Sequence, residues 1–366
     1  MIENLGATHR YKLKTQNALA EARDHFNCPT LDGIPLENYG GAGTANDHWE
    51  ISYLGNSLMN PAVYFNGVVS RIDLKFLIDT GYFYPEMKYS ELLVWGKNAG
   101  CDIFTGRCED NPMTCNEGEI MCSPDGYSLG ECIKSEFFGS CSVFFEMPSG
   151  DCRLPANSGE HSHHGSFMYF GPGARCFQGK LNQTVEQNQA YCLRTECNEA
   201  GDAVTLTVLG KTLTCRAGEE GTQKIVEEGR EDFVVCPKTP ISLLCSKGLR
   251  CPNDCNYSGR CLNSGKCLCY VGYTGEDCGV YDENERYNFL KVVTTNNGGG
   301  NGGGNGGDGG NGGGNGGGNG DGRGGGDGNP RDGDGGDRGK SSPLLKQFTS
   351  LSLVLFVFVC FNSFVI

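Results

Sequence analysis

Gly40-Gly41-Ala42-Gly43-Thr44-Ala45-Asn46-Asp47-His48-Trp49-Glu50 is followed, eleven residues after the histidine, by Met59 in Leu58-Met59-Asn60-Pro61. Glycine tolerates backbone conformations that other residues avoid, so the run 40–43 reads as a loop. That loop delivers one imidazole, the side chain most often used to ligate metals. A lone loop histidine is ordinarily unremarkable. Here the glycine run before it and the methionine turn after it single His48 out.

Working outward, residues 15–26 read as a helix. Ala18, Leu19, Ala22 and Phe26 recur at helical spacing, Thr15 can serve as N-cap, and Pro29 ends the element. Residues 71–79 read as a second helix, with Ile72, Phe76 and Leu77 on one side and Gly81 as its stop. From 101 to 245 the chain is rich in cysteine and turns. Alternations such as Ala203-Val204-Thr205-Leu206-Thr207-Val208 predict short strands.

The 366 residues carry 21 cysteines and six histidines. Cys360 lies in an apolar C-terminal stretch, and the other 20 run from Cys28 to Cys278. An even, dense set points to an oxidising compartment and a disulfide framework. Structural zinc sites are the alternative, disfavoured by the few histidines and the irregular cysteine spacings. The sequons at Asn182 and Asn256 fit glycosylation in that compartment. A net charge of -14, without a basic stripe, argues against nucleic acid as a partner.

Residues 1–14 are polar and lack a signal peptide's apolar core, so Met1 is not expected to be the natural start. Cys251, Cys255, Cys261, Cys267, Cys269 and Cys278, with Gly272-Tyr273-Thr274-Gly275 before the last, resemble an EGF-like module. The resemblance implies pairing of Cys251 with Cys261, Cys255 with Cys267, and Cys269 with Cys278. Gly248-Leu249-Arg250 stands where a calcium-binding module has an acidic pair, so no calcium is expected. Residues 296–339 are nearly all Gly, Asn and Asp and read as a flexible tether. The final sixteen residues, 351–366, form an apolar tail behind the small residues Ser341 and Ser342. That arrangement fits a GPI-attachment signal, with a membrane-spanning tail as the alternative.

The His48 and Met59 segments, Phe76-Leu77-Ile78-Asp79-Thr80-Gly81-Tyr82-Phe83-Tyr84, and Trp95-Gly96-Lys97-Asn98-Ala99-Gly100-Cys101 resemble leishmanolysin, the major surface protease family, in order and spacing. The likeness covers roughly residues 1–245. It implies one Zn2+, with His48 as third ligand and Met59 as the apolar floor beneath it, as in the back half of a metzincin site. It also implies the pairs Cys28–Cys101, Cys108–Cys141, Cys115–Cys132, Cys122–Cys176, Cys152–Cys192, Cys197–Cys245 and Cys215–Cys236. The expected fold is α+β. Residues 1–100 would be the C-terminal part of a metzincin catalytic domain, and 101–246 a disulfide-rich domain. An EGF-like unit at 250–279, a disordered linker at 296–340 and a hydrophobic tail at 341–366 would follow.

The front half of such a site is a helical His-Glu-x-x-His, which supplies two ligands and the general base. No such motif occurs in the 366 residues, so no catalytic residue is assigned. His9 and His25 do not replace it; His25 is expected at the surface. His161, His163 and His164 cluster in a polar stretch with nothing to set their geometry. Two functions follow. One is a membrane-anchored zinc endopeptidase acting on extracellular proteins at the cell surface, with a further adhesion role, whose present chain is inactive alone. The other is a non-catalytic adhesion protein derived from it. Without the upper part of the domain, Ile72, Phe76 and Leu77 are expected to leave an exposed apolar surface.

Overall fold

A computed structural model describes residues 11–285 except 42, 63, 65, 106, 135–140, 160–167 and 182–188. His9, Asn182, His161, His163, His164, the linker and the apolar tail lie outside the described residues. Strand β1 (Lys12–Leu13) pairs antiparallel with β2 (Ile34–Pro35), and helix α1 (Gln16–Phe26) lies between them in sequence. The helix buries Ala18, Leu19, Ala22, His25 and Phe26. Thr15 takes the N-cap position, yet its side chain makes no capping bond. Asp79 does that work from another helix. Its Oδ1 accepts from Asn17 N at 3.1 Å and its Oδ2 from Ala18 N at 2.8 Å. A carboxylate there also faces the positive end of the helix dipole. The helix stops at Asn27, whose φ of 53° is left-handed.

After α2 (Ile51–Leu54), Gly55 turns the chain with φ +36°, where a Cβ would overlap the Trp95 ring. Helix α3 (Arg71–Asp79) opens with a capping box between Ser70 and Asp73. Its apolar face is covered, contrary to the expectation of an exposed surface. Ile72 is 1% exposed and Leu74 is also buried, while Phe76 and Leu77 are half-buried. The cover is α1, held by the Asp79 cap and an Arg71–Glu21 ion pair at 2.7 Å.

Strands β3 (Ile120–Cys122), β4 (Ser128–Ile133) and β5 (Val143–Asp151) form an antiparallel sheet. Val143 and Phe144 join the same apolar core as Phe26, Trp49 and Trp95. Strands β6 (Ala174–Lys180), β7 (Gln189–Cys197), β8 (Ala203–Val208), β9 (Lys211–Arg216), β10 (Gln223–Ile225) and β11 (Phe233–Val235) form a second sheet. Its order is β10-β11-β6-β7-β8-β9, antiparallel throughout. Helix α4 (Ile241–Leu244) packs on it beside Leu193, Leu206 and Val234. The mixture of helix and antiparallel sheet is α+β.

Seven disulfides staple this part: Cys28–Cys101, Cys108–Cys141, Cys115–Cys132, Cys122–Cys176, Cys152–Cys192, Cys197–Cys245 and Cys215–Cys236. Each is worth roughly 2–4 kcal/mol. Three more, Cys251–Cys261, Cys255–Cys267 and Cys269–Cys278, are the core of a small unit. That unit contains two hairpins, β12 (Gly259–Cys261) with β13 (Cys267–Cys269) and β14 (Tyr273–Thr274) with β15 (Val280–Tyr281).

The small unit is bolted to the larger sheet. Arg175 grips Asp254 through two nitrogens, at 2.8 and 3.0 Å, and both side chains are almost fully buried. Asp254 sits in a left-handed turn in which Asn253, Asp254, Cys255, Asn256 and Tyr257 all have φ between 46° and 56°. Such residues cost roughly 1–2 kcal/mol each, so the turn persists because its surroundings hold it. Removing one partner of a buried pair strands the other. Arg175→Ala is therefore expected to lower stability by about 3–5 kcal/mol, measured as the drop in urea midpoint with all disulfides intact.

Candidate metal centre

His48 closes a loop whose two ends are zipped together. Leu36 and Trp49 form an antiparallel bridge, Glu37 N donates to His48 O at 2.9 Å, and Glu50 N donates to Pro35 O at 3.2 Å. Gly41 and Gly43 take φ of 72° and 88° in the loop between, as the sequence requires. His48 is half-buried. Its Nδ1 lies 3.2 Å from Thr44 O. A carbonyl can only accept, so in the neutral ring Nδ1 carries the proton and Nε2 keeps its lone pair. A backbone partner fixing the tautomer is the usual support of a metal-binding imidazole.

Met59 is tied to the residue after His48: its carbonyl accepts from Trp49 N at 2.9 Å. The turn is closed by Asn60 N donating to Ser57 O, and its Leu58 N reaches Val68 O at 2.8 Å. The Met59 side chain packs against the first core. The Trp49 indole Nε1 donates to Asp73 Oδ1 at 2.8 Å, and Ser57 Oγ donates to the same carboxyl. Histidine segment, methionine turn and α3 thus meet at one buried acid. Burial pushes the Asp73 carboxyl up, against the donors from Ser70, Trp49 and Ser57.

Two acids that sequence reasoning missed underlie the loop. Glu37 and Glu50 are both buried. Glu37 Oε1 accepts from Asn38 N and Tyr39 N at 3.0 Å, while Glu50 accepts from Ser52 Oγ at 3.0 Å and Asn38 Nδ2 at 3.2 Å. Burial pushes Glu37 up to about 7. Burial, and then the charge of Glu37, push Glu50 up to about 8. Glu50 stands two residues from His48, but nothing in its spacing announces a buried acid.

His25 is not at the surface as expected. It is buried in the last turn of α1, its Nε2 donating to Trp95 O at 2.8 Å and its ring set edge-on to Phe26. The Cys28–Cys101 bridge draws residues 95–101 over the helix end: Asn98 N bonds His25 O and Gly100 N bonds Phe26 O. Burial lowers its pKa to about 4. Asn256 is exposed, with its Nδ2 donating to Asp277 O at 2.9 Å.

A catalytic zinc takes three protein ligands and leaves one position open. Among the described residues, the one cluster of three or more potential ligands is Cys251, Cys255 and Cys267. All three are consumed by disulfides. The bond at Nδ1 leaves His48 Nε2 as the ring atom open to a further partner, but one imidazole is not a zinc site, and among the described residues no cluster completes one.

Residues 6–135 match the family model described as leishmanolysin, peptidase family M8. The chain is similar to leishmanolysin of Leishmania major, 25% identical over an alignment of 280 residues that covers 66% of this chain and 46% of that protein. Leishmanolysin of Leishmania donovani is 26% identical over 281 residues, 66% of this chain and 47% of that one. The leishmanolysin-like peptidase of Caenorhabditis briggsae is 44% identical over 94 residues, 26% of this chain and 14% of that protein. The chain spans about half the length of the Leishmania relatives it matches. The stretch that matches the leishmanolysin model includes the His48 loop, the Met59 turn and α3.

The buried acids set a pH slope. Their folded pKa lies above the ordinary value of 4.5, so their contribution is fully present below about pH 4.5 and lost as pH rises through 7 to 8. His25 works oppositely: its folded pKa is below 6.5, so stability is lost as pH falls through about 4. Denaturation midpoints of the full chain should fall between pH 5 and pH 8. Glu50→Gln should flatten that fall, raising stability at pH 8 by on the order of a few kcal/mol.

Proposed function

We propose that this leishmanolysin-family chain is the ligand-completing portion of a cell-surface zinc metalloendopeptidase that hydrolyses extracellular proteins. His48 would present Nε2 as the third zinc ligand, and Met59 would floor the site. The observation that carries this reading is the Nδ1–Thr44 bond, which leaves Nε2 free, together with the Trp49–Met59 bond that locks the methionine turn to the histidine segment. When bound in the complete site, zinc would activate a water and polarise the scissile carbonyl. The residues of this chain would orient one ligand. Among the described residues no cluster completes the site, and the sequence has no His-Glu-x-x-His to supply the base, so on this reading the 366-residue polypeptide is inactive alone.

The six-cysteine unit at 250–279 is read as an EGF-like module, followed by the tether at 296–340 and by the tail at 341–366 as a GPI signal or a membrane anchor. Asn182 and Asn256 are read as glycan acceptors. A second reading, a non-catalytic adhesion protein, draws support from the small unit's surface. Tyr257, Tyr270, Val271, Tyr273, Val280 and Tyr281 are all exposed there, an apolar set suited to binding a partner.

The test compares two preparations on a protein substrate, with and without a zinc chelator. The recombinant 366-residue chain is expected to bind no stoichiometric zinc and to cleave nothing. The native polypeptide carrying this sequence is expected to yield peptides from an upstream His-Glu-x-x-His helix and to show chelator-sensitive proteolysis. Chelator-sensitive cleavage by the recombinant chain would overturn its inactivity. A native polypeptide without that helix and without activity would favour adhesion.

A further inference from the structure

The small six-cysteine unit touches the segment that carries the candidate metal centre. Arg260, on β12, sends Nη2 to Glu91 Oε2 at 2.6 Å and also to the carbonyl of Gly67. Glu91 Oε2 in turn accepts from Val69 N at 2.8 Å, and Glu91 N donates to Val69 O at 2.9 Å. Beside it, Asn263 donates from Nδ2 to Ser90 Oγ and Glu91 O, and from its backbone N–H to Ser90 O.

The clamped stretch is the one on which the methionine turn rests. Val68 N donates to Asn56 O and Leu58 N donates to Val68 O, both at 2.8 Å, so residues 56–58 and 67–69 run as one ribbon. Asn56 Nδ2 adds a bond to Asn66 O at 2.8 Å. From Leu58 the path is one residue to Met59, whose carbonyl holds Trp49 N, next to His48. The clamp's other end is fixed, because the buried Arg175–Asp254 pair anchors the small unit to the large sheet.

We infer that Arg260 is a positioning residue: by gripping Gly67 O and Glu91 it sets the height and register of the Met59 turn beneath His48. The six-cysteine unit is then a structural part of the metal centre. The inference rests on the reading of His48 and Met59 as that centre. An ion pair alone would need only a charge opposite Glu91. The second bond, to a backbone carbonyl of the ribbon itself, leaves the same Nη2, whose two N–H groups are fixed in the guanidinium plane; the freely rotating ammonium of lysine does not hold that pair of directions.

The test uses the full chain with Arg260→Lys and Arg260→Ala. Two readouts are followed: amide hydrogen exchange, and the NMR ring-proton resonance of His48 assigned with His48→Asn. The expected result is exchange faster by about tenfold at Trp49, Leu58 and Val68, with Leu206 of the large sheet unchanged, and a displaced His48 resonance. The lysine variant, which keeps the charge, is expected to restore less than half of that protection. Equal loss of protection at Leu206 would reduce Arg260 to a general stabiliser and overturn the inference. So would unchanged exchange at Trp49 and Leu58, or full restoration by lysine. Where Arg260→Ala does not fold, the lysine variant alone decides. Neither readout depends on bound metal or proteolysis. A negative result here leaves the zinc reading standing, and a native protein without zinc leaves the exchange result standing.

Discussion

Everything near the candidate centre converges on the buried carboxyl of Asp73. It closes the capping box of α3 with Ser70, holds the Trp49 indole and accepts from Ser57. Each of these partners belongs to a different segment: the helix start, the histidine segment and the methionine turn. An acid buried without donors would be costly; with Ser70 N, Ser70 Oγ, Trp49 Nε1 and Ser57 Oγ all donating to it, it becomes a joint. Loss of that joint would leave the three segments held to one another by apolar packing such as the Trp49–Phe76 ring contact, with centroids 5.5 Å apart.

Farther out, charge and cystine add to the apolar clusters. Arg153 and Arg175 both lie over the Tyr127 ring, with guanidinium carbons 3.7 and 4.7 Å from its centre. The Tyr127 hydroxyl donates to Leu249 O at 3.1 Å, at the junction with the small unit. Planar guanidinium groups stack on aromatic faces while their edges bond carboxylates, so one arginine serves both contacts. This cluster, the left-handed turn at 253–257 and the Arg260 clamp fix the small unit from two sides.

The helices are legible because their apolar residues recur at the right period and proline or glycine follows their ends; the first in fact stops at Asn27, two residues before Pro29. The alternation at 203–208 is a strand for the same kind of reason. What could not be read were contacts made across the chain. Thr15 has the right identity for a cap, but Asp79, more than sixty residues away, takes the first-turn N–H groups. His25 has a surface residue's composition but is roofed by residues drawn in by Cys28–Cys101. Ile72 looked stranded until α1 covered it. The candidate site divides likewise. His48 and Met59 stand out by spacing and by resemblance. Glu37, Glu50, Asp73 and Arg260 matter through burial and pairing, which no local pattern encodes.

The most direct measurement is zinc-edge X-ray absorption on the native polypeptide and on its His48→Ala variant. A zinc held by three imidazole nitrogens at about 2.0–2.1 Å in the native protein, with one of them lost in the variant, is the predicted result. A spectrum that is the same in both proteins would contradict the assignment of His48, and a native protein without zinc would contradict the metal centre itself.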